Sequence, residues 1–365
     1  MIRNTRGGRR ALLLVLALAA LALAAVAAAS GVTNGPSAVK GSSADIAVLL
    51  PDSKSSVRWE TQDRRYLADA FKKAGVSYSI VNAEGDARQQ RTQAEQAITN
   101  GAKVILLVNL DSGSGAAIEQ QAKARNVKTI DYDRLTLNGQ ASYYVSFDNT
   151  AVGRLQGRGL VNCLRASGKL SQRPTIATLN GSPTDNNATL FARGYNSILD
   201  PLYQRQLRKG PDQSVPKWDN QEALRIFEQM LQRTGNKIDG VLAANDGLAN
   251  AAISALKARK LAKIPVTGQD ATAQGVQNVL AGDQCMTVYK AIRGQAEASA
   301  RLAIQLLRNQ KPTGVNGRVD NGTRQVPSVL LGAVAITKAN YKVLFTDGFL
   351  KRGEVCRGQY AKFCR

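Results

Sequence analysis

Short apolar, β-branched runs recur along this chain with segments of helical period between them, and that alternation restricts the fold more than any other feature. The runs are DIAVLLP (45–51), SYSIVNA (77–83), KVILLVNL (103–110), VKTIDYD (127–133), YYVSFDN (143–149), TIATLNG (175–181), DGVLAAND (239–246), IPVTGQD (264–270) and QCMTVYK (284–290). One helical stripe runs from Trp59 through Asp63, Tyr66, Leu67, Ala70 and Phe71 to Ala74. Another carries Ile292, Ala296, Ala300, Ala303 and Leu307 on one face. Strands alternating with helices of this length predict right-handed βαβ units and parallel sheets. The unbroken apolar character of the runs fits strands covered on both faces. At 365 residues the chain is long enough for two domains.

The strand ends are polar: Asn109, Asp133, Asp148, Asp246, Asp270 and Lys290. In open α/β sheets ligands bind beyond the carboxyl ends of the strands, so such a set can form a hydrogen-bonding lining. The simpler role for any one of these carboxylates or amides is to cap the helix that follows. The segment NLDSGSGAAIEQQ (109–121) has the composition of a phosphate loop but lacks the G-x-x-x-x-G-K-[ST] order. It is expected to be a strand-to-helix turn that places Asn109 near a cleft.

The amino-terminal stretch has a different character. Residues 1–10 are basic through Arg3, Arg6, Arg9 and Arg10, and residues 11–29 are wholly apolar and end in small side chains. This order predicts a secretory signal over 1–30, with an uncleaved membrane anchor as the alternative. Residues 31–43 are rich in Gly, Ser and Pro and are expected to form a flexible tether. Export makes disulfides durable. Cys356 and Cys364 lie close together in a polar tail and are expected to pair, whereas Cys163 and Cys285 can either pair or stay as buried thiols.

The chain has no histidine, which removes Ser-His-Asp and Cys-His catalysis and every His-containing metal site. No metal or cofactor is expected. The net charge of +22 invites nucleic acid, but the basic residues are scattered without interleaved aromatics, and a diffuse attraction to an anionic envelope fits better.

Seven segments resemble the periplasmic sugar-binding proteins of the ribose/galactose type that serve bacterial ABC importers, and among them the D-xylose binders. They are VRWETQDRRYL (57–67), IDYDRL (130–135), YVSFDNTAVGRLQG (144–157), NGSPTDNNATLFARGY (180–195), NKIDGVLAANDGLANAAISAL (236–256), VTGQDATAQGVQNVLAGDQCMTVYKAI (266–292) and VPSVLLGAVAITKAN (326–340). The resemblance runs from about residue 44 to the carboxyl terminus. It implies an α/β fold of two doubly wound parallel-sheet lobes joined by three hinge crossovers, the periplasmic binding protein type I fold. The crossings fall near 148, 291 and 333, giving an N-terminal lobe of 44–148 plus 291–333 and a C-terminal lobe of 149–290 plus 334–365. The family's ligand contacts map onto Arg58, Trp59, Asp133, Arg134, Asp185, Asn187, Trp218, Asn245, Asp270 and Lys290.

The chemistry of these residue types agrees with that mapping. Sugar hydroxyls both donate and accept, carboxylates and amides answer them in pairs, and Arg forks across neighbouring oxygens. The apolar faces of a sugar ring need flat partners, which Trp59 and Trp218 can supply. The resemblance implies a non-enzymatic, monomeric binding protein that closes on a monosaccharide, D-xylose first, and presents it to an ABC permease. The alternatives are a sugar sensor for a chemoreceptor or histidine kinase, and glucose, galactose or arabinose as the ligand. A lactose-repressor-like regulator would need a helix-turn-helix where the apolar segment stands. A glycosidase would need two of Asp133, Asp185 and Asp270 beside room for a leaving group.

Overall fold

A computed structural model describes residues 43–364. The expected export signal over 1–30 and nearly all of the expected tether lie outside the described residues. Among the described residues no helix is long and apolar enough to cross a membrane.

The first half of the chain alternates strand and helix. β1 (Ile46–Leu50) is followed by a π-helical turn over Trp59–Asp63 and α1 (Arg64–Ala74). Then come β2 (Tyr78–Asn82), α2 (Ala87–Thr99), β3 (Val104–Leu107), α3 (Ser112–Ala124), β4 (Lys128–Tyr132) and β5 (Tyr143–Phe147). α4 (Asn149–Ala166), β6 (Thr175–Asn180), α5 (Asn186–Tyr203), β7 (Arg208–Ser214), α6 (Asn220–Arg233), β8 (Gly240–Ala243), α7 (Asp246–Ala258) and α8 (Ala273–Ala281) continue the pattern. β9 (Thr287–Lys290), α9 (Ile292–Leu307), β10 (Gly317–Asp320), β11 (Gln325–Leu331) and β12 (Ala333–Ile336) complete it.

The strands sort into three sheets. The first has the order β10-β11-β5-β4-β3-β1-β2, parallel except for antiparallel β10. The second is β7-β6-β8, parallel throughout. The third is the antiparallel pair β12-β9. The chain leaves the first sheet after β5, returns to it after β9 and leaves again between β11 and β12, so the two lobes are connected three times. β1 and β3 are buried at every position, as strands covered on both faces must be.

One expectation needs correction, and one strand was not anticipated. The run 264–270 forms no full strand. Val266 makes one parallel bridge to Val241, because Pro265 has no N–H to donate and the chain then turns through Asp270. β7 had no signal in the apolar pattern. Its residues RKGPDQS are polar because it is an edge strand, and Pro211 is tolerated where the register with β6 shifts between Ile176 and Thr178.

Helix starts obey local chemistry. Asp86, Asp111, Asp148, Asp185, Asp219, Asn245 and Thr272 each stand at an N-cap and accept a backbone N–H from the first turn. α4 and α5 pack at very close range because two glycines face each other. A Cβ on Gly153 would lie 2.1 Å from the Phe191 carbonyl, and one on Gly194 would lie 2.2 Å from that of Thr150. Cys356 pairs with Cys364 at the end of the chain, and Cys163 on α4 pairs with Cys285 ahead of β9, resolving the pairing that the sequence left open.

Candidate functional site

The carboxyl ends of the strands face one another across a cleft. Asp133 and Arg134 follow β4, Asp185 follows β6, Asn245 follows β8, Lys290 ends β9, and Trp59 opens the helical segment after β1. All ten residues named from the sequence line one small cavity, of about 30 Å³. Ser55, Ser56, Phe191 and Gln269 complete its wall. Nine of the ten are buried, and Asp270 is the more open exception.

The first-lobe half is organised by Arg58. Its guanidinium forks onto Asp63 at 2.9 and 2.7 Å, and donates to Asp133 Oδ2 at 2.8 Å and to Gln295 Oε1 at 2.6 Å. Gln295 in turn donates to Asp133 Oδ2 at 3.2 Å and to the Val145 carbonyl at 3.2 Å. The Tyr132 hydroxyl donates to Asp63 Oδ1, which also accepts from Arg58 Nη2. Burial opposes the charge on Asp133, but Arg58, Lys290 and Arg134 outweigh it and hold the carboxyl at about 2. Asp133 is therefore an ionised acceptor at any physiological pH. The Arg58 guanidinium lies 4.5 Å from the centre of the Trp59 ring, and the ring edge is fixed by its N–H donating to Ser55.

The second-lobe half carries its own network. Asp185 accepts the backbone N–H of Asn187 and the indole N–H of Trp218, the latter at 3.1 Å. Asn187 Oδ1 accepts from Asn149 Nδ2 at 2.8 Å. Lys290 pairs with Asp270 at 3.3 Å, and its ammonium sits 5.6 Å from the Phe147 ring and 5.8 Å from the Phe191 ring. Gln269 also donates to Asp270, at 2.9 Å.

Two contacts join the halves directly. Arg134 Nε lies 3.1 Å from Asp185 Oδ2, and Asn187 Nδ2 donates to the Asp133 carboxylate and carbonyl, each at 3.1 Å. Asn109 holds Arg134 from behind. It donates to the Arg134 carbonyl at 3.1 Å, and its own carbonyl accepts from the guanidinium at 3.2 Å.

Three of the lining residues have left-handed backbones: Asp133 at φ 67°, Trp218 at φ 56° and Asp270 at φ 95°. Such conformations cost free energy and cluster where a side chain must be aimed against local preference. Of the six polar strand ends named from the sequence, only Asp148 caps a helix. Asp185 and Asn245 cap α5 and α7 while lining the cavity, whereas Asp148 caps α4 and stands outside it.

The supporting residues Asp63 and Gln295 were not singled out from the sequence as site residues. Each left a trace there: a polar side chain on an otherwise apolar helical stripe needs a buried partner. Asp246, at the start of α7, belongs to a separate buried cluster with Gln284, Thr287 and Thr272.

Two doubly wound α/β lobes, crossed three times by the chain and facing each other over a polar, aromatic-lined cavity, define a type I periplasmic binding protein. Residues 46–311 match the family described as periplasmic binding protein domain, and the chain belongs to that family, whose members bind solutes rather than transform them. It is similar to the D-xylose-binding periplasmic protein of Haemophilus influenzae, at 34% identity over 84% of this chain and 91% of that one. It is also similar to a multiple sugar-binding periplasmic receptor of Rhizobium radiobacter, at 32% identity over 85% and 92%. Among solved structures, a solute-binding protein of an ABC transporter from Clostridium phytofermentans with bound β-D-glucose superposes with a TM-score of 0.79 at 29% identity, covering 85% of this chain and 99% of that one.

Proposed function

We propose that this protein is the extracytoplasmic solute-binding component of a sugar ABC importer. It takes a monosaccharide, D-xylose first, into the cleft between its lobes. The reading is carried by one observation: carboxylates, amides, guanidinium groups and two indoles from both lobes converge on a single cavity, the set that a polyhydroxylated ring requires. Each charge-assisted hydrogen bond to a buried hydroxyl contributes about 1.5–3 kcal/mol. Residues 1–30 export the chain, and a permease accepts the closed form. The lobes are 44–148 plus 291–333 and 149–290 plus 334–365.

Mechanism follows from the cross-lobe contacts. In the closed arrangement Arg134 meets Asp185, and Asn187 meets Asp133. A sugar with greater affinity for this arrangement shifts the population towards it, in proportion to that difference. D-xylose leads among candidates because two relatives at 34% identity carry that name. Glucose is supported by two solved neighbours at 28–29% identity that hold it.

A thermal-shift screen over a dozen monosaccharides tests the reading, since ligand binding raises apparent stability by mass action. D-xylose is expected to give a saturable rise that Asp270→Ala abolishes. No rise with any monosaccharide, together with no heat in calorimetry, would overturn it. Sensing is the second reading, favoured by the relative named as a sugar-binding receptor.

A further inference from the structure

A second cavity adjoins the first at the mouth of the cleft. Its volume is about 610 Å³ against about 30 Å³ for the inner one, and it shares Ser55, Arg134, Asp185 and Trp218 with the inner site. Between the two stand residues that line both spaces: Ser55, the Arg134–Asp185 ion pair and Trp218.

The outer lining is drawn from both lobes. Leu110 and Lys54 come from the first, and Pro183 and Lys217 from the second. The nearby carboxylates are already engaged. Asp52 accepts from the Ser55 backbone and hydroxyl, Asp111 from Ser114, and Asp219 caps α6. The ammonium groups of Lys54 and Lys217 have no ion-pair or hydrogen-bond partner among the described residues, although both backbone N–H groups are engaged. Lys217 also holds a left-handed backbone, φ 56°, beside Trp218. A space with apolar patches, an indole edge and free donors on opposite walls matches a neutral ring that presents both C–H faces and hydroxyls. Carboxylates outnumber cationic side chains in the lining by five to three, which disfavours an anionic ligand.

We infer that this outer cavity is a second sugar subsite. The protein then accepts a disaccharide, with one ring in the inner site, the other over Leu110 and Trp218, and the glycosidic link passing the Arg134–Asp185 pair. This rests on the sugar-binding reading of the inner site. It extends the ligand class from free monosaccharides to disaccharides.

Calorimetric titration of the purified protein with D-xylose, β-1,4-xylobiose, D-glucose and cellobiose tests it. At least one disaccharide is expected to bind within about tenfold of its parent monosaccharide, a span small beside what hot-spot contacts can move. Leu110→Trp projects an indole into the outer space where the second ring would lie and is expected to weaken that disaccharide by about tenfold or more while leaving the monosaccharide unchanged. Lys54→Ala with Lys217→Asn, which keeps a residue tolerant of the left-handed backbone, is expected to weaken the disaccharide alone. If Leu110→Trp does not fold, this lysine pair carries the test. Monosaccharide binding without any disaccharide binding overturns the subsite and leaves the sugar-binding reading standing. Disaccharide binding unchanged in both variants also overturns it, because the second ring then lies elsewhere. If none of the four sugars binds, the subsite is overturned, and the sugar-binding reading falls as well only if the wider monosaccharide screen is also blank.

Discussion

Arg134 and Asp185, on opposite lobes, form an ion pair at 3.1 Å with both side chains almost fully buried. A charge pair so placed contributes only while the lobes are together, since opening returns both groups to water. Arg134→Gln is expected to weaken closure. At saturating D-xylose its radius of gyration by small-angle X-ray scattering should exceed that of the unaltered protein. Identical values would show that the pair does not help hold the lobes together.

Asp133 is the acceptor on which three cations converge. Asp133→Asn keeps the side-chain shape and tolerates φ 67°, but it leaves Arg58 short of one charged partner. Loss of one charge-assisted hydrogen bond is expected to reduce sugar affinity by about 10- to 150-fold. Titration calorimetry checks this, and a smaller change would place the sugar away from this carboxylate.

Asp246 gives a pH signature. Burial raises its carboxyl from 3.8 to about 7 and neighbouring Asp270 adds to the rise, while hydrogen bonds from Gln284, Thr287 and Thr272 pull the other way. The folded chain therefore holds a proton that the unfolded chain has released. The stability this confers is complete below pH 3.8 and is lost as pH rises through 7. Across that window the difference in unfolding free energy between the unaltered protein and Asp246→Asn should change by up to about 4 kcal/mol. Denaturant melts at several pH values measure it, and a constant difference would refute it.

Gly153→Ala is expected to destabilise the fold by about 1–3 kcal/mol, because the added methyl meets the Phe191 backbone. The same displacement moves Phe191, which lines the cavity, so sugar affinity should fall alongside the thermal midpoint. A lower midpoint with unchanged affinity would mean that α5 absorbs the strain without moving the site.

Much of this architecture can be read in the chain because it rests on short-range rules. The apolar runs form strands at eight of their nine positions, and of the polar residues at their ends Asp148 caps a helix, Asp133, Asp270 and Lys290 line the cavity, and Asn109 and Asp246 are held in buried hydrogen-bond networks behind it. What could not be read depends on long-range geometry. β7 lacks an apolar pattern because an edge strand has less to bury, and Val266 forms only a bridge because the chain turns away after it. The Cys163–Cys285 pairing spans 122 residues, so no local feature points to it. Gln295 meets Arg58 and Asp133 only because α9 returns to the first sheet after the chain has built most of the second lobe.

The left-handed backbones at Asp133, Trp218 and Asp270 bear on how such a site can evolve. At φ near 60–95° only Gly, Asn and Asp are accommodated readily, so Asp133 and Asp270 can each be exchanged at low cost only within that narrow alphabet. Arg58, Asn187 and Lys290 are not among the positive-φ residues and face no such restriction. A lineage shifting from one sugar to another would accumulate its changes at those three positions, while the two aspartates persist as inherited fixtures of the backbone that carries them.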